Sequence, residues 1–240
     1  MPPRTGYRVF NRPMVQLVMG RCGVGKTYFT DRRLIPALLA DGRDVALIHD
    51  PHPEHEANYS GTAWRGVEHF RRGWAAGKVL TRRNVFRRVE PAEVIALGRE
   101  LARLGWRVVV VVDELNRVAT RHGYLDGAPR KAREPRQRTP LETLIREHRH
   151  ERIDFVGTIQ RPVDLHVDFT SAAGRMWIFA LRHSRDVEWV EEQTDESTAA
   201  RVRALGVRQF VEWNPDDVSD LQQQHNAPAR RQEVTRVRRH

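Results

Sequence analysis

Five consecutive valines, Val108–Val112, bounded by Arg107 and by the carboxylates Asp113 and Glu114, restrict the fold more than any other stretch. β-Branched side chains are stiff at χ1 and favour extended backbone. A strand points successive side chains to opposite faces, so a run apolar at every position needs cover on both. Such strands belong to parallel sheets layered between helices. The run is also far too short to cross a bilayer. Residues 44–50 (DVALIHD), 153–159 (IDFVGTI) and 176–181 read the same way, with shorter strands expected at 85–89 and 207–213 and a leading strand at 6–10. Between them, apolar residues recur at helical spacing over 91–104, 186–193 and 196–205, and through Trp64, Val67, Phe70 and Trp74. Thr139-Pro140-Leu141-Glu142 is a capping box with Pro at the first helical position, and its helix carries Leu141, Leu144, Ile145 and His148 on one face. Strands alternating with helices predict an α/β protein with a mostly parallel, doubly wound central sheet.

The first core strand runs into Gly20-Arg21-Cys22-Gly23-Val24-Gly25-Lys26-Thr27, which matches the phosphate-binding loop G-x-x-x-x-G-K-[ST]. The glycines allow backbone N–H groups to close around an anion, and the helix after the loop points its positive end at the same place. Lys26 is suited to the β- and γ-phosphates of ATP and the Thr27 hydroxyl to Mg²⁺. The chain has only three lysines, so one in this slot is informative. Cys22 is the single cysteine, which excludes an internal disulfide and suits a reducing compartment; it reads as a small residue at a variable loop position. The helix after the loop, 26–40, should be kinked or divided at Pro36.

Ligands of such sheets bind outside the carboxyl ends of the strands. Asp113, ending the valine strand, fits the acid that holds Mg²⁺, and Glu114 fits a general base for the attacking water. Gln160, ending the next core strand, could sense the γ-phosphate. The residues 20–27, Asp113, Glu114 and Gln160 therefore converge on one site, and the fold is expected to be a three-layer P-loop NTPase of the RecA/ASCE kind. His49, Asp50, His52, Glu54, His55 and Glu56 fit no zinc spacing and read as a polar loop beside the nucleotide.

A net charge of +10 and a pI near 10.8 favour a polyanionic partner, although arginine-rich coding bias gives the same balance. Arg117, Arg121, Arg130, Lys131, Arg133, Arg136 and Arg138 fall on an aperiodic stretch, 116–138, that reads as a long loop able to meet DNA phosphates or as a solvated insertion. The organisation expected is an N-terminal arm at 1–13, an ATPase domain at 14–215 and a basic, disordered tail at 216–240. No apolar h-region or membrane span is evident, so a soluble intracellular protein is expected.

Three stretches, in order along the chain, resemble the HerA–FtsK superfamily of DNA-pumping ATPases. Asp50-Pro51-His52-Pro53-Glu54 is similar to the Asp-Pro-His-Gly-Glu turn of its HerA branch, with Pro53 in place of glycine. Asp113-Glu114 matches its acidic pair, and 149–162 (RHERIDFVGTIQRP) resembles its arginine, apolar strand and Gln-Arg-Pro. The resemblance implies a hexameric ring translocating double-stranded DNA, with an arginine before the glutamine strand reaching a neighbour's ATP. Arg149 matches that position best, with Arg146, Arg152 and Arg161 as rivals. A bare motor of this length is most similar to the DNA-packaging ATPases of tailless membrane-containing viruses. That implies a portal or capsid-vertex partner and a place in the host cytoplasm or on the virion. Pumps for conjugation, segregation or filamentous-phage assembly are the alternative, and a nucleotide-dependent switch or a metabolic P-loop kinase stands further off.

Overall fold

The computed structural model describes residues 14–52, 58–77, 81–125 and 138–215. Its centre is an eight-stranded sheet in the order β10-β9-β1-β8-β5-β2-β4-β3. The strands are β1 (Val15–Met19), β2 (Val45–Asp50), β3 (Thr62–Trp64), β4 (Arg83–Arg87), β5 (Val108–Val112), β8 (Ile153–Ile159), β9 (Ala173–Phe179) and β10 (Phe210–Trp213). All neighbours pair in parallel except β10, which runs antiparallel to β9 at one edge. β6 (Ala119–Thr120) and β7 (Gly123–Tyr124) form a separate hairpin.

The valine strand behaves as its composition demands. Val108, Val110 and Val112 join one core with Leu17, Phe155 and the inner faces of α4 (Pro91–Arg103) and α5 (Pro140–Glu151). Val109 and Val111 join the opposite core with Val18, Ile48, Trp177 and residues of α1 (Lys26–Phe29) and α2 (Ile35–Ala40). Apolar burial on both faces, at roughly 25 cal/mol per Å² removed from water, is what holds the layers together. The register sets Met19 beside Ile159, Val112 beside Gly157 and His49 beside Val112. The loops leaving β1, β8, β5 and β2 therefore emerge side by side from one edge.

The expected division of the 26–40 helix near Pro36 is present, and several other boundaries differ from expectation for identifiable reasons. The helix after β1 is split by a π-helical turn, Thr30–Leu34, directly before α2. Pro36 has no N–H, and its ring excludes the carbonyl four residues back, so the turn widens there. Trp64 does not share a helix with Phe70: it sits on the edge strand β3, and α3 (Val67–Ala75) starts after Gly66. The stretch after Asp113 is not featureless, because a 3-10 turn (Leu115–Arg117) and the β6/β7 hairpin occupy its described part. A short helix, α6 (Val167–Ala172), precedes β9 without having been visible as a period. α7 (Ser184–Gln193) and α8 (Glu196–Arg203) follow close to expectation. The expected strand at 6–10, the arm at 1–13, the tail at 216–240, and Glu54, His55, Glu56, Arg130, Lys131, Arg133 and Arg136 lie outside the described residues. Among the described residues, no helix is long and apolar enough to cross a membrane.

Candidate functional site

The loop after β1 is fastened to the strands on either side of it. Gly20 N–H donates to Ile159 O at 3.0 Å and Arg21 N–H to Ala180 O at 3.0 Å. Gly20 has φ +152°, and a Cβ there would lie 2.6 Å from that of Phe179, so no side chain fits. Gly25, with φ 101°, caps α1 in the left-handed region. Lys26 is buried and turns its ammonium onto Gly20 O at 2.6 Å and Arg21 O at 3.0 Å. Burial pushes its pKa down, against the opposing pull of Asp113, Cys22 and Glu114. Carbonyls are weak partners for a buried cation compared with an anion.

Across the cavity, Asp113 is buried and hydrogen-bonded through Oδ1 to the Thr158 hydroxyl. Burial raises its pKa, and the Thr158 bond and His52 work the other way. Glu114 sits in the left-handed region at φ 54°, a conformation that costs an ordinary residue about 1 kcal/mol. Its backbone N–H donates to Thr158 Oγ1 at 3.0 Å, so one threonine ties both acids to β8. Gln160 Nε2 donates to Glu114 Oε1 at 2.8 Å, and Arg117 Nε stands 2.5 Å from Oε2 as an ion pair without hydrogen-bond alignment. Cys22, Gly23, Gly25, Lys26, Thr27, Asp113, Glu114, Thr158 and Gln160 line one cavity of about 340 Å³. β8 lies between β1 and β5, which is why Gln160 comes between the loop and the acids.

The residues fit a divalent cation. A buried carboxylate, with Oδ1 on the Thr158 hydroxyl, in a polar cavity that Thr27 also lines, is a hard-oxygen donor set suited to Mg²⁺. Asp50, His52 and Asp113 also bring ligand atoms within 4.8 Å of one another. His52 Nε2 is 3.9 Å from both Asp113 Oδ2 and Glu114 Oε1. Local spacing could not show this, because Asp113 arrives from another strand.

Arg149 is not brought to this cavity. It is exposed near the end of α5, at the opposite edge of the sheet, a full seven-residue strand from Gln160, or about 23 Å. Of its rivals, Arg146 pairs with Glu142 and Asp168, Arg152 sits in the left-handed region before β8, and Arg161 faces Asp164 and Asp186. Arg138 stands 3.8 Å from Glu147, and Arg121 lies exposed at the hairpin.

Residues from other elements support the acids from behind. Asp31, in the π-helical turn, accepts from Ser60 N–H at 2.8 Å and from the Ser60 hydroxyl, and pairs with Arg83. This pins the segment that buries Tyr59 beside Asp113. His49 and Asp50, expected on a polar loop, instead end the buried strand β2, and burial pushes the His49 pKa down to about 4.

No protein-family model matches the sequence, and no curated protein matches it. Solved structures do. The genome-packaging NTPase B204 of Sulfolobus turreted icosahedral virus 2, in complex with ATP-γS, superposes with TM-score 0.68 at 16% identity, over 87% of this chain and 95% of that one. B204 of Sulfolobus turreted icosahedral virus, the DNA-packaging ATPase, gives 0.63 at 18% identity over 87% and 95%. EssC ATPases 2 and 3 from Geobacillus thermodenitrificans give 0.53 at 11%, over 84% of this chain and 38% of that one. The chain has the P-loop NTPase fold. Within that fold, the three-layer arrangement and mostly parallel sheet expected from the sequence are present, and the P-loop occupies the strand–loop–helix position the motif requires.

Proposed function

We propose that this chain is an ATP-hydrolysing double-stranded DNA translocase of the HerA–FtsK kind, acting as a viral genome-packaging motor. The observation that carries the reading is the convergence of Lys26, Thr27, Asp113, Glu114 and Gln160 on one cavity. The shared fold of the B204 packaging NTPases supports it.

In this mechanism the backbone N–H groups of residues 20–27 surround the triphosphate, and Lys26 leaves the two loop carbonyls for the β- and γ-phosphates. Thr27 and Asp113 would hold Mg²⁺, which supplies neutralisation of charge on the phosphate oxygens. Glu114 accepts a proton from the water that attacks the γ-phosphorus, the bond to the β,γ-bridging oxygen breaks, and ADP leaves. Gln160, bonded to the Glu114 carboxylate, holds that base in line and meets the γ-phosphate. Arg149, too far from its own site, completes the site of an adjacent subunit in a homo-oligomeric ring, for which six is the expected number. Such a finger is worth about 10³–10⁵ in turnover. Arg121, exposed at the hairpin, grips duplex phosphates without reading sequence. The reading places the protein in the host cytoplasm or on the virion, against a portal or capsid-vertex protein.

The test is ATP turnover with and without duplex DNA, alongside a mass measurement of the assembly with nucleotide. Turnover should rise with DNA and fall steeply with salt, in an oligomer. A monomer whose ATP turnover ignores DNA contradicts the proposal. Arg149→Ala subunits mixed into active ones should depress turnover more than linear dilution does; strict proportionality would remove Arg149 from the neighbouring site.

A further inference from the structure

Beside the phosphate loop lies a feature that the hydrolysis chemistry does not use. Tyr28, the residue after Thr27, is 59% exposed, whereas its neighbour Phe29 is buried among Trp177, Phe179 and Phe210. Tyr28 lines the same cavity as Lys26 and Thr27. The Arg208 guanidinium lies over its ring, 5.8 Å from the centroid, within cation–π range.

Arg208 is held there by the loop itself. It occupies the left-handed region at φ 64°, which an arginine enters only at a cost in strain. Its N–H donates to Val24 O at 3.0 Å, fastening the 206–209 turn to the phosphate loop. Gly25 leaves room for this approach, since a Cβ there would lie 3.3 Å from Arg208 Cγ. Val207, next to it, is also 59% exposed. An aromatic ring at the cavity and a guanidinium plane over it thus stand together beside the phosphate loop.

We propose that Tyr28 and Arg208 form a stacking platform for the purine base of the bound nucleoside triphosphate. This rests on the nucleotide reading of the loop. With the phosphates anchored at residues 20–27, the sugar and base must leave the cavity by its open side, past the first side chain after Thr27. A ring and a guanidinium accept the face of a base, and every base has a face. The platform therefore takes adenine and guanine alike, and the smaller pyrimidines less well. The protein is then a purine-tolerant NTPase rather than an ATP-specific one.

The experiment is a calorimetric titration of wild type, Tyr28→Ala and Arg208→Ala with Mg²⁺ complexes of ATP, GTP, CTP and inorganic tripolyphosphate. In wild type, ATP and GTP should bind within about threefold of each other, with CTP weaker and tripolyphosphate about tenfold weaker than ATP. Tyr28→Ala should bring ATP down to the affinity of tripolyphosphate while leaving tripolyphosphate itself unchanged. Arg208→Ala should move the same way by less. A Tyr28→Ala protein that binds ATP as wild type does, or that loses ATP and tripolyphosphate equally, overturns the platform and leaves the phosphate loop standing. Strong preference of wild type for ATP over GTP overturns the face-reading part. Wild type that binds neither ATP nor tripolyphosphate overturns the phosphate-loop reading, and the platform with it.

Discussion

The two edges of the central sheet both bury charge, and they treat it in opposite ways. At the edge where β1 and β8 begin, Arg43 and Asp154 form a bidentate pair, with Nε to Oδ2 at 2.8 Å and Nη2 to Oδ1 at 3.1 Å. Asp41 takes a further guanidinium hydrogen, and Met14 N–H donates to Asp154 at 3.2 Å. Burial pushes the Asp154 carboxyl up and Arg43 pulls it back down. At the edge where the same strands end, Lys26 rests on two carbonyls and Asp113 on one hydroxyl. His49 Nδ1 has no hydrogen-bond partner, and Glu114 is bent into the left-handed region. A buried charge without a full set of partners is expensive. The satisfied edge is a structural clamp, whereas the other leaves its buried charges with fewer partners from within the protein.

Two substitutions put that contrast at risk. Glu114→Gln should slow ATP hydrolysis by about 10²–10⁴ while ATP stays bound, with unfolding free energy moved by less than about 1 kcal/mol. Single-turnover hydrolysis, nucleotide titration and urea unfolding on one preparation read all three. Normal hydrolysis with lost ATP affinity would take the base role from Glu114. Asp154→Ala should do the reverse, destabilising the fold by about 3–5 kcal/mol because Arg43 is left buried without its main partner. Turnover per folded molecule should be unchanged. If Asp154→Ala left the denaturation midpoint alone, the two edges would not differ in the way their partners suggest.

The legible part of this molecule was the part written locally. β-Branched runs, the glycine spacing of residues 20–27 and the acids ending β5 each declare themselves within a dozen residues, and parallel topology then aligns their ends. The convergence of Lys26, Thr27, Asp113, Glu114 and Gln160 on one cavity followed from that alone. What stayed hidden depends on pairing across the chain. Trp64 shares helical spacing with Val67 and Phe70, yet β4 recruits it as an edge strand, and its indole N–H donates to Asn84 Oδ1 at 2.9 Å. The β6/β7 hairpin has two residues a side and is steadied by a bridge from Thr120 to Leu165. Asp31 declares its role only once Ser60 and Arg83 reach it, and Arg43 only once Asp154 does. Tyr28 looked like any helix residue until Arg208 came over it.

The smallest expected effect concerns His49, which belongs to the under-satisfied edge without touching phosphate chemistry. Burial lowers its pKa to about 4, from about 6.5 in an unfolded chain. Below pH 6.5 the unfolded chain therefore takes up a proton that the folded protein refuses, and stability must fall as pH drops. The loss accumulates between about pH 6.5 and 4 and levels off below, reaching about 2–3 kcal/mol near pH 4.5. Asp113, Asp154 and Asp186, whose carboxyls burial raises, work in the opposite direction, as protonation favours their folded forms. They are present in His49→Asn as well, so the difference between the two proteins isolates the histidine. Urea unfolding at pH 7 and pH 4.5 should show wild type losing about 2–3 kcal/mol more than His49→Asn. Equal losses would mean that His49 reaches water or a partner when it charges, and that this edge is better satisfied than its hydrogen bonds indicate.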